Sequence, residues 1–302
     1  MPKKIITTKA ESTLEPKAIS ISNRKGGVGK TTLTTVLAEE LAGAGYSVVM
    51  LDLDSQTDLT DINLSQKDDR KFFDLITGQK TIDEVIVELP GKGDKKIIPG
   101  SAVVDEIKTG VTTSLIEIVE ELKQIHDFVL LDHPPSLTEI SRAGYIASDE
   151  LLIVAEAQQL SLKNLVSFLV EIKELQLETE TELEVMGIVA NKVDLRRNMT
   201  ERMLEEYRRT YPDLFFENYI GSDTAIPNAQ LGQKNIRDLD WRARTLSQFE
   251  RVTTYLENSV REKLELLKDK GVINSKLASL AMVPGTSRYM SKNVIYTLHK
   301  KL

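Results

Sequence analysis

Three glycines, three cationic side chains and two threonines lie within eleven residues of this chain, in the stretch SNRKGGVGKTT from Ser22 to Thr32. Glycines in a tight turn accept positive φ values, so that successive backbone N–H groups can point at one anion. The stretch follows the apolar run Ala18 to Ile21 and precedes a helical pattern, and a helix N-terminus adds partial positive charge. We interpret it as a phosphate-binding loop for a nucleoside triphosphate rather than as a glycine-rich turn without a ligand.

Within this loop, Lys30 is placed to reach the terminal phosphates and the Thr31 hydroxyl to take a magnesium position. The predicted binding residues of the loop are Gly26, Gly27, Val28, Gly29, Lys30, Thr31 and Thr32.

Carboxylates end two further apolar runs. Asp52 and Asp54 follow VVML at strand spacing, which puts both side chains on one face. Asp132 ends the run FVLLD. Ligands of open α/β folds bind at the carboxyl ends of the strands, so we expect these carboxylates beside the phosphate loop, where oxygen ligands suit Mg²⁺. For Asp54 a turn or helix-capping role is the alternative.

The elements that must position these groups alternate along the chain. Short, almost wholly apolar runs are typical of strands buried on both faces, and the longer periodic segments between them predict crossover helices. The fold class is therefore α/β: a doubly wound, mainly parallel sheet with helices on both faces. The predicted strands are Ala18 to Ser22, Ser47 to Asp52, Lys95 to Pro99, Phe128 to Asp132, Glu150 to Val154 and Val185 to Ala190.

Composition limits the chemistry and the compartment. The 302 residues contain no cysteine, which excludes disulfides, thiolate zinc sites and iron–sulfur clusters, and three histidines make a histidine metal cluster an unfavoured interpretation. The net charge of -7 argues against a uniformly basic nucleic-acid coat but allows a local basic patch. The polar N-terminal segment lacks the hydrophobic stretch of a secretory signal, and no apolar run has the length of a membrane span, so a cytoplasmic protein is expected.

The chain divides into three predicted regions. Residues 1–17 are polar and form a flexible N-terminal arm, residues 18–257 form the nucleotide-binding domain, and residues 258–302 form a helical C-terminal extension. The extension is either a small helix-turn-helix that reads DNA or an appendage that packs on the main domain or a partner.

The loop departs from an ordinary phosphate loop, because Arg24 stands where that loop has its first glycine. The arrangement KGGVGKT instead resembles the deviant Walker A box of the ParA and MinD family of ATPases. The resemblance implies that the early lysine, Lys25, crosses a dimer interface to the phosphates of the partner's nucleotide, as an arginine finger does. A solvated lysine is the alternative interpretation of Lys25.

The resemblance also assigns roles to the three carboxylates. Asp54 would orient or activate the attacking water, Asp52 would hold magnesium through water, and Asp132 would be the Walker B carboxylate that orders magnesium. The family usually carries Pro-Gln-Gly-Asn after the aspartate at position 54, whereas this chain has SQTD, and His133 replaces the family's usual small residue. His133 either forms a hydrogen bond beside the predicted phosphate site or points away from that site.

Two further segments bear on the base. Asn191, in VMGIVANKVD, stands where the family places an amide against the adenine edge, and Pro227 lies in a variant of the segment that lines the base pocket. The same stretch also resembles the guanine-reading Asn-Lys-x-Asp motif, in which Asp194 would pair with guanine. The lysine and carboxylate pattern favours ATP with Mg²⁺.

Among relatives, the ParA type fits best, because the cysteines of the cluster-binding members and a strong amphipathic C-terminal helix like that of MinD are missing. This implies a slow ATPase that forms a homodimer on ATP binding and coats DNA non-specifically. A centromere-binding, ParB-like adaptor would then release it, with no membrane partner and with nucleoid association in the ATP-bound state. A MinD-like regulator of a protein or membrane-associated partner is the alternative. The candidate DNA-binding residues are Arg196, Arg197, Arg202, Lys234, Arg237, Arg242 and Arg244.

Overall fold

The computed structural model describes residues 16–65, 71–107, 110–157, 159–223, 225–226, 228 and 245–256, without the side chains of 159–162. Within them, seven strands form one sheet: β1 Lys17–Ser22, β2 Ser47–Asp52, β3 Val87–Glu88, β4 Asp94–Ile98, β5 Phe128–Asp132, β6 Glu150–Glu156 and β7 Glu184–Asn191. The helices are α1 Lys30–Gly43, α2 Asp58–Asn63, α3 Lys71–Ile76, α4 Ile82–Val85, α5 Val111–Lys123, α6 Glu139–Ile146, α7 Gln159–Thr179, α8 Asn198–Thr210 and α9 over residues 246–256.

The strand order is β3-β4-β2-β5-β1-β6-β7, and every described pairing is parallel except the one between β3 and β4. β1, which leads into the phosphate loop, lies between β5 and β6. In β1 the side chains alternate, so that Ile19 packs with α1 and α9 on one face of the sheet, while Ala18 packs with α5 and α6 on the other. Helices therefore cover both faces, and the doubly wound fold is confirmed.

The strand register brings the predicted site residues to one edge of the sheet. Asp52 at the end of β2 is the direct partner of Asp132 at the end of β5, and Glu156 at the end of β6 is the partner of Asn191 at the end of β7. All four side chains thus stand at the carboxyl edge of the sheet, on either side of β1.

Sequence reasoning found six of these seven strands to within two residues at either end. It missed β3, which has only two residues and no apolar run. β1 begins at Lys17, which the sequence analysis had put in the N-terminal arm; the ammonium of this lysine is buried against the Glu150 carboxylate at 3.4 Å. Residues 1–15 and 258–302 lie outside the described residues, so the proposed arm and C-terminal extension stay predictions.

None of the helices in the described part of the chain combines the length and the apolar character needed to cross a membrane.

Candidate nucleotide-binding site

The loop between β1 and α1 has the backbone that its glycines predict. Gly27 and Gly29 have φ values of 71° and 97°, and Gly29 is the N-cap of α1. A Cβ atom at Gly29 would lie 2.2 Å from the amide nitrogen of Asn191, whereas one at Gly26 would meet nothing within 4 Å. Glycine at 29 is therefore required both by the left-handed backbone and by the close approach of β7.

An open cavity of about 1060 Å³ lies over this loop. Its lining includes six of the seven predicted loop residues: Gly26, Gly27, Gly29, Lys30, Thr31 and Thr32. Val28, the remaining one, is fully buried, and its carbonyl accepts a hydrogen bond from the Asn191 side chain at the end of β7. Such a volume at a helix N-terminus, floored by glycine backbone, suits a phosphorylated ligand.

Beneath the cavity, Lys30, Thr31, Asp52 and Asp132 form what we call the buried cluster. The Thr31 hydroxyl donates a hydrogen bond to the Asp132 carboxylate, and Lys30 lies near enough to this carboxylate to interact electrostatically. Burial lowers the pKa of Lys30, although Asp132 and two further carboxylates oppose that shift. Burial also raises the pKa of Asp132, and the nearby Asp52 carboxyl adds to the increase.

Asp52 is tied to the start of the following helix. Its carboxylate accepts hydrogen bonds from the Thr60 backbone at 2.9 Å and the Thr60 hydroxyl at 2.6 Å, and the N–H of Asp54 lies 3.2 Å away. Its burial raises the pKa of Asp52 to about 6, more than these hydrogen bonds lower it. Asp52 thus holds β2 and α2 together, and its predicted role in holding magnesium through water stays a prediction.

The buried cluster fits a magnesium ion on its own chemistry. Two buried carboxyl groups on adjacent strands, each with a raised pKa, are groups whose charge a divalent cation offsets. Among the described residues no group of three or more acidic or histidine side chains could hold a metal by itself. Mg²⁺ commonly takes one or two carboxylates and completes its shell with water and substrate phosphate, which is compatible with the predicted set of Thr31, Asp132 and, through water, Asp52.

Asp54 lies at the cavity wall, as the predicted water-orienting residue must. One of its carboxylate oxygens accepts the Gln56 N–H at 2.9 Å, and its carbonyl accepts the N–H of Thr57, which has a left-handed φ of 57°. The turn role and the proposed catalytic role are compatible, because the turn fixes the carboxyl group while it faces the cavity.

Asn191 serves the loop directly. Its amide nitrogen donates to the Val28 carbonyl at 2.7 Å and its amide oxygen accepts the Lys192 N–H at 2.8 Å. Its predicted contact with adenine remains a prediction. Asp194 does not line the cavity; both its oxygens accept hydrogen bonds from Arg196, which with Arg197 lowers the pKa of Asp194 to about 2.

The far wall of the cavity is formed by Gly221, Ser222, Asp223 and Ile226. Pro227, predicted for the base pocket, lies outside the described residues, although its neighbour Ile226 is in the wall.

Lys25 is not among the residues that line this cavity. Its ammonium forms an ion pair with the carboxylate of Glu156, and its backbone N–H donates to the Asn23 side chain at 2.9 Å. Lys192 donates to the Gly27 carbonyl at 2.5 Å and lies 4.0 Å from the same Glu156 carboxylate. We call Lys25, Glu156, Asn191 and Lys192 the rim cluster.

His133 lies in a polar network under the loop, not in the cavity. It is fully buried, its Nε2 atom is 2.7 Å from the Ser20 hydroxyl, and its ring stacks on Tyr145 at 4.3 Å. Burial lowers the pKa of His133 to about 3, so the ring is neutral. His133 contacts β1 through Ser20. This geometry favours the second interpretation, in which His133 points away from the phosphates.

The candidate DNA-binding residues that the structure describes lie on or before α8. The side chain of Arg196 is 88% exposed and that of Arg197 75% exposed, and Arg202 is exposed on the helix. The first two share Asp194 as an acidic neighbour. Four other candidates lie outside the described residues: Lys234, Arg237, Arg242 and Arg244.

Sequence reasoning did not single out Glu156 or Lys192. Glu156 ends one apolar strand and Lys192 follows another, at the same sheet edge as the predicted carboxylates. That position could have indicated both residues as part of the site.

Comparison with known proteins shows which nucleotide-binding proteins this chain is similar to. Residues 16–185 match the family AAA_31, described as an AAA domain. Soj of Bacillus subtilis, a sporulation initiation inhibitor protein, is 27% identical over 236 residues, which cover 76% of this chain and 93% of Soj. The chromosome partitioning protein ParA of Caulobacter vibrioides is 26% identical over 225 residues, 70% of this chain and 83% of that one.

Solved structures show the same fold. McdA of Cyanothece in complex with ATP has a TM-score of 0.71 at 20% identity, over 80% of this chain and 97% of McdA. The septum site-determining protein MinD of Pyrococcus horikoshii with Mg-ADP has a TM-score of 0.65 at 20% identity, over 79% and 94%. The fold and loop define a P-loop NTPase. The chain belongs to the AAA domain family and, within it, is a ParA-type member of the ParA and MinD group.

Proposed function

We propose that this protein is an ATP-dependent DNA partition ATPase. It binds ATP with Mg²⁺, forms a homodimer on ATP binding, coats DNA without sequence preference, and is released when a centromere-binding, ParB-like adaptor stimulates hydrolysis. It is cytoplasmic and associates with the nucleoid in the ATP-bound state. The relatives named for chromosome partitioning support this function.

The observation that carries the proposal is the different environment of the two loop lysines. Lys30 is buried under the cavity, where its ammonium can neutralise the phosphates of the nucleotide that its own chain binds. Lys25 is not among the lining residues; it forms an ion pair with Glu156, and 31% of its side chain is exposed. A cation that does not face its own cavity is suited to the phosphates of a second copy.

In the proposed site, Mg²⁺ would be held by Thr31 and Asp132 and would offset charge on the phosphates. The turn at Asp54 holds its carboxyl group against the cavity, where it would orient a water toward the terminal phosphate. Histidine as a general base is not available among the lining residues, because His133 is buried in another network. Slow basal hydrolysis follows, since a partner must complete the site.

The proposed DNA surface begins at the N-terminus of α8. Arg196, Arg197 and Arg202 present exposed guanidinium groups, which suit phosphates and need no base contact. Each phosphate contact releases counterions, so the affinity for DNA should fall steeply as salt rises.

The test is DNA binding by the full chain with and without ATP and Mg²⁺, over a salt series. We expect binding only with both present, and the double variant Arg196→Ala, Arg197→Ala should reduce the slope of log affinity against log salt by about 2, or about 1 per lost contact. The matched control is Arg208→Ala, Arg209→Ala, at the other end of α8, which should leave the slope unchanged.

Binding that does not depend on ATP would overturn the proposal. Binding to anionic vesicles in place of DNA would instead support the MinD-like alternative.

A further inference from the structure

We propose that Glu156 holds Lys25 within its own chain and thereby sets the protein concentration at which ATP drives dimer formation. This inference rests on the proposed function, in which Lys25 reaches a partner's phosphates. It makes Glu156 a positioning residue that acts through Lys25, and it identifies the Lys25–Glu156 ion pair as a contact that must open before two chains join.

The contacts of Glu156 put its carboxylate at the rim of the loop. It ends β6, and its side chain is only 12% exposed, although it carries a full ion pair with Lys25. Lys192 lies 4.0 Å from the second carboxylate oxygen and is itself held on the Gly27 carbonyl. The carboxylate therefore lies between two lysines, of which Lys192 lines the cavity and Lys25 does not.

The ion pair and the proposed contact across the dimer compete for one ammonium group. A lysine ammonium neutralised by a carboxylate offers little net charge to a phosphate, and a carboxylate left beside that phosphate repels it. The ammonium must therefore leave Glu156, at least in part, when it binds a triphosphate of the partner. The free energy of the ion pair is then subtracted from the free energy of dimer formation.

The contacts that hold Glu156 in the fold are made by its backbone and do not require the charge of its carboxylate. The link between β6 and α8 uses the backbone carbonyl of Glu156, which accepts the Tyr207 hydroxyl at 3.2 Å, and the pairing with β7 is also made by backbone. Glutamine at this position keeps the length and the hydrogen-bonding capacity and removes the charge. Glu156→Gln is therefore expected to fold normally.

The size of the effect follows from the exposure of the pair. A partly exposed ion pair changes an equilibrium by a factor of about three, and each dimer opens two such pairs, so removal of the charge should strengthen the dimer about tenfold. The affinity of the monomer for ATP should stay the same, because Lys25 does not face the cavity.

The experiment is sedimentation velocity of the full chain with Mg²⁺ and a non-hydrolysable ATP analogue, over a range of protein concentrations. Wild type, Glu156→Gln and Glu171→Gln are compared. Glu171 is the matched control, because it forms an ion pair with Arg24, the cation next to Lys25 in the loop, and its substitution makes the same change in charge. Nucleotide affinity is measured on dilute monomer, and thermal unfolding without nucleotide is recorded for each variant.

We expect the dimer dissociation constant to fall about tenfold in Glu156→Gln and to change less than about twofold in Glu171→Gln. The double variant Lys25→Ala, Glu156→Gln should stay monomeric, because the gain acts through Lys25. An unchanged or weaker dimer in Glu156→Gln overturns the inference while leaving the proposed function standing, and so does a double variant that dimerises. A wild type and Glu156→Gln that both stay monomeric overturn the proposed function and the inference with it.

Discussion

The buried cluster and the rim cluster both lie at the phosphate loop, but they differ in how deeply their charged side chains are buried and in what neutralises those charges. In the buried cluster, two carboxyl groups with raised pKa values lie beside a lysine with a lowered pKa, so burial disfavours their charged forms, and a bound ion and phosphates would favour them again. In the rim cluster, Glu156 is already neutralised by lysines that are partly exposed to solvent. The charges of the buried cluster are not fully offset until a ligand binds. The charges of the rim cluster are already paired, and they separate only when another anion competes for Lys25.

The difference in burial shows how one short loop can hold two lysines with separate roles. Desolvation makes Lys30 costly to keep charged unless an anion is present, which couples it tightly to nucleotide. Lys25 remains hydrated and paired, so its contacts can be exchanged at little cost. Substitutions in the two clusters should therefore differ in kind as well as in size.

The largest effect is expected in the buried cluster. Lys30→Ala removes the cation that faces the cavity and leaves the Asp132 carboxyl group without its neighbour, so ATP affinity should fall by about a hundredfold or more. Titration of the protein with a fluorescent ATP analogue measures this. Lys192→Ala is the control, since it also removes a lysine from the cavity wall but from a half-exposed position; its affinity should fall less than about fivefold. Equal losses in the two variants would erase the distinction between the clusters.

The loop backbone gives the next effect. Gly29→Ala combines a φ of 97° with a Cβ only 2.2 Å from the Asn191 amide, and we expect it to lower the free energy of unfolding by about 1–3 kcal/mol or more without any ligand. Gly26→Ala, where a Cβ meets nothing within 4 Å, should change it by less than about 0.5 kcal/mol. Urea denaturation of both variants is the measurement. A Gly26→Ala variant as unstable as Gly29→Ala would show that the strain lies elsewhere in the loop.

The smallest of these effects separates Asn191, which ends β7, from the next residue, Lys192. Asn191→Ala leaves the buried Val28 carbonyl without its donor and should lower the free energy of unfolding by about 1–2 kcal/mol. Lys192→Ala removes a solvated contact and should change it by less than about 0.5 kcal/mol. The same denaturation experiment compares them, and the reverse order would contradict the burial-based account of the rim.

Much of this arrangement could be predicted from the sequence because its signals are local. The glycines of the loop, the apolar run before it and the carboxylates at strand ends each fix a short-range feature, and parallel strands bring their carboxyl ends to one edge. These signals predict that Asp52, Asp132 and Lys30 lie near one another, and in the structure they interact electrostatically. β3 was missed because two residues at a sheet edge carry no periodicity.

The rim cluster could not be predicted in the same way. The Lys25–Glu156 pair joins residues 131 positions apart, and its existence depends on β6 lying next to β1, which no local pattern encodes. Asn191 was recognised, but its hydrogen bond to the Val28 carbonyl depends on how closely β7 approaches the loop. Long-range side-chain pairing is set by topology and register, and these are known only once the sheet order is known.

The most direct test of the two-lysine account is one variant measured in two ways. Lys25→Ala should bind ATP as wild type does when it is dilute and monomeric, and it should remain a monomer with Mg²⁺ and a non-hydrolysable analogue at concentrations where wild type is fully dimeric. Loss of ATP affinity equal to that of Lys30→Ala, or a dimer as strong as that of wild type, would contradict the account.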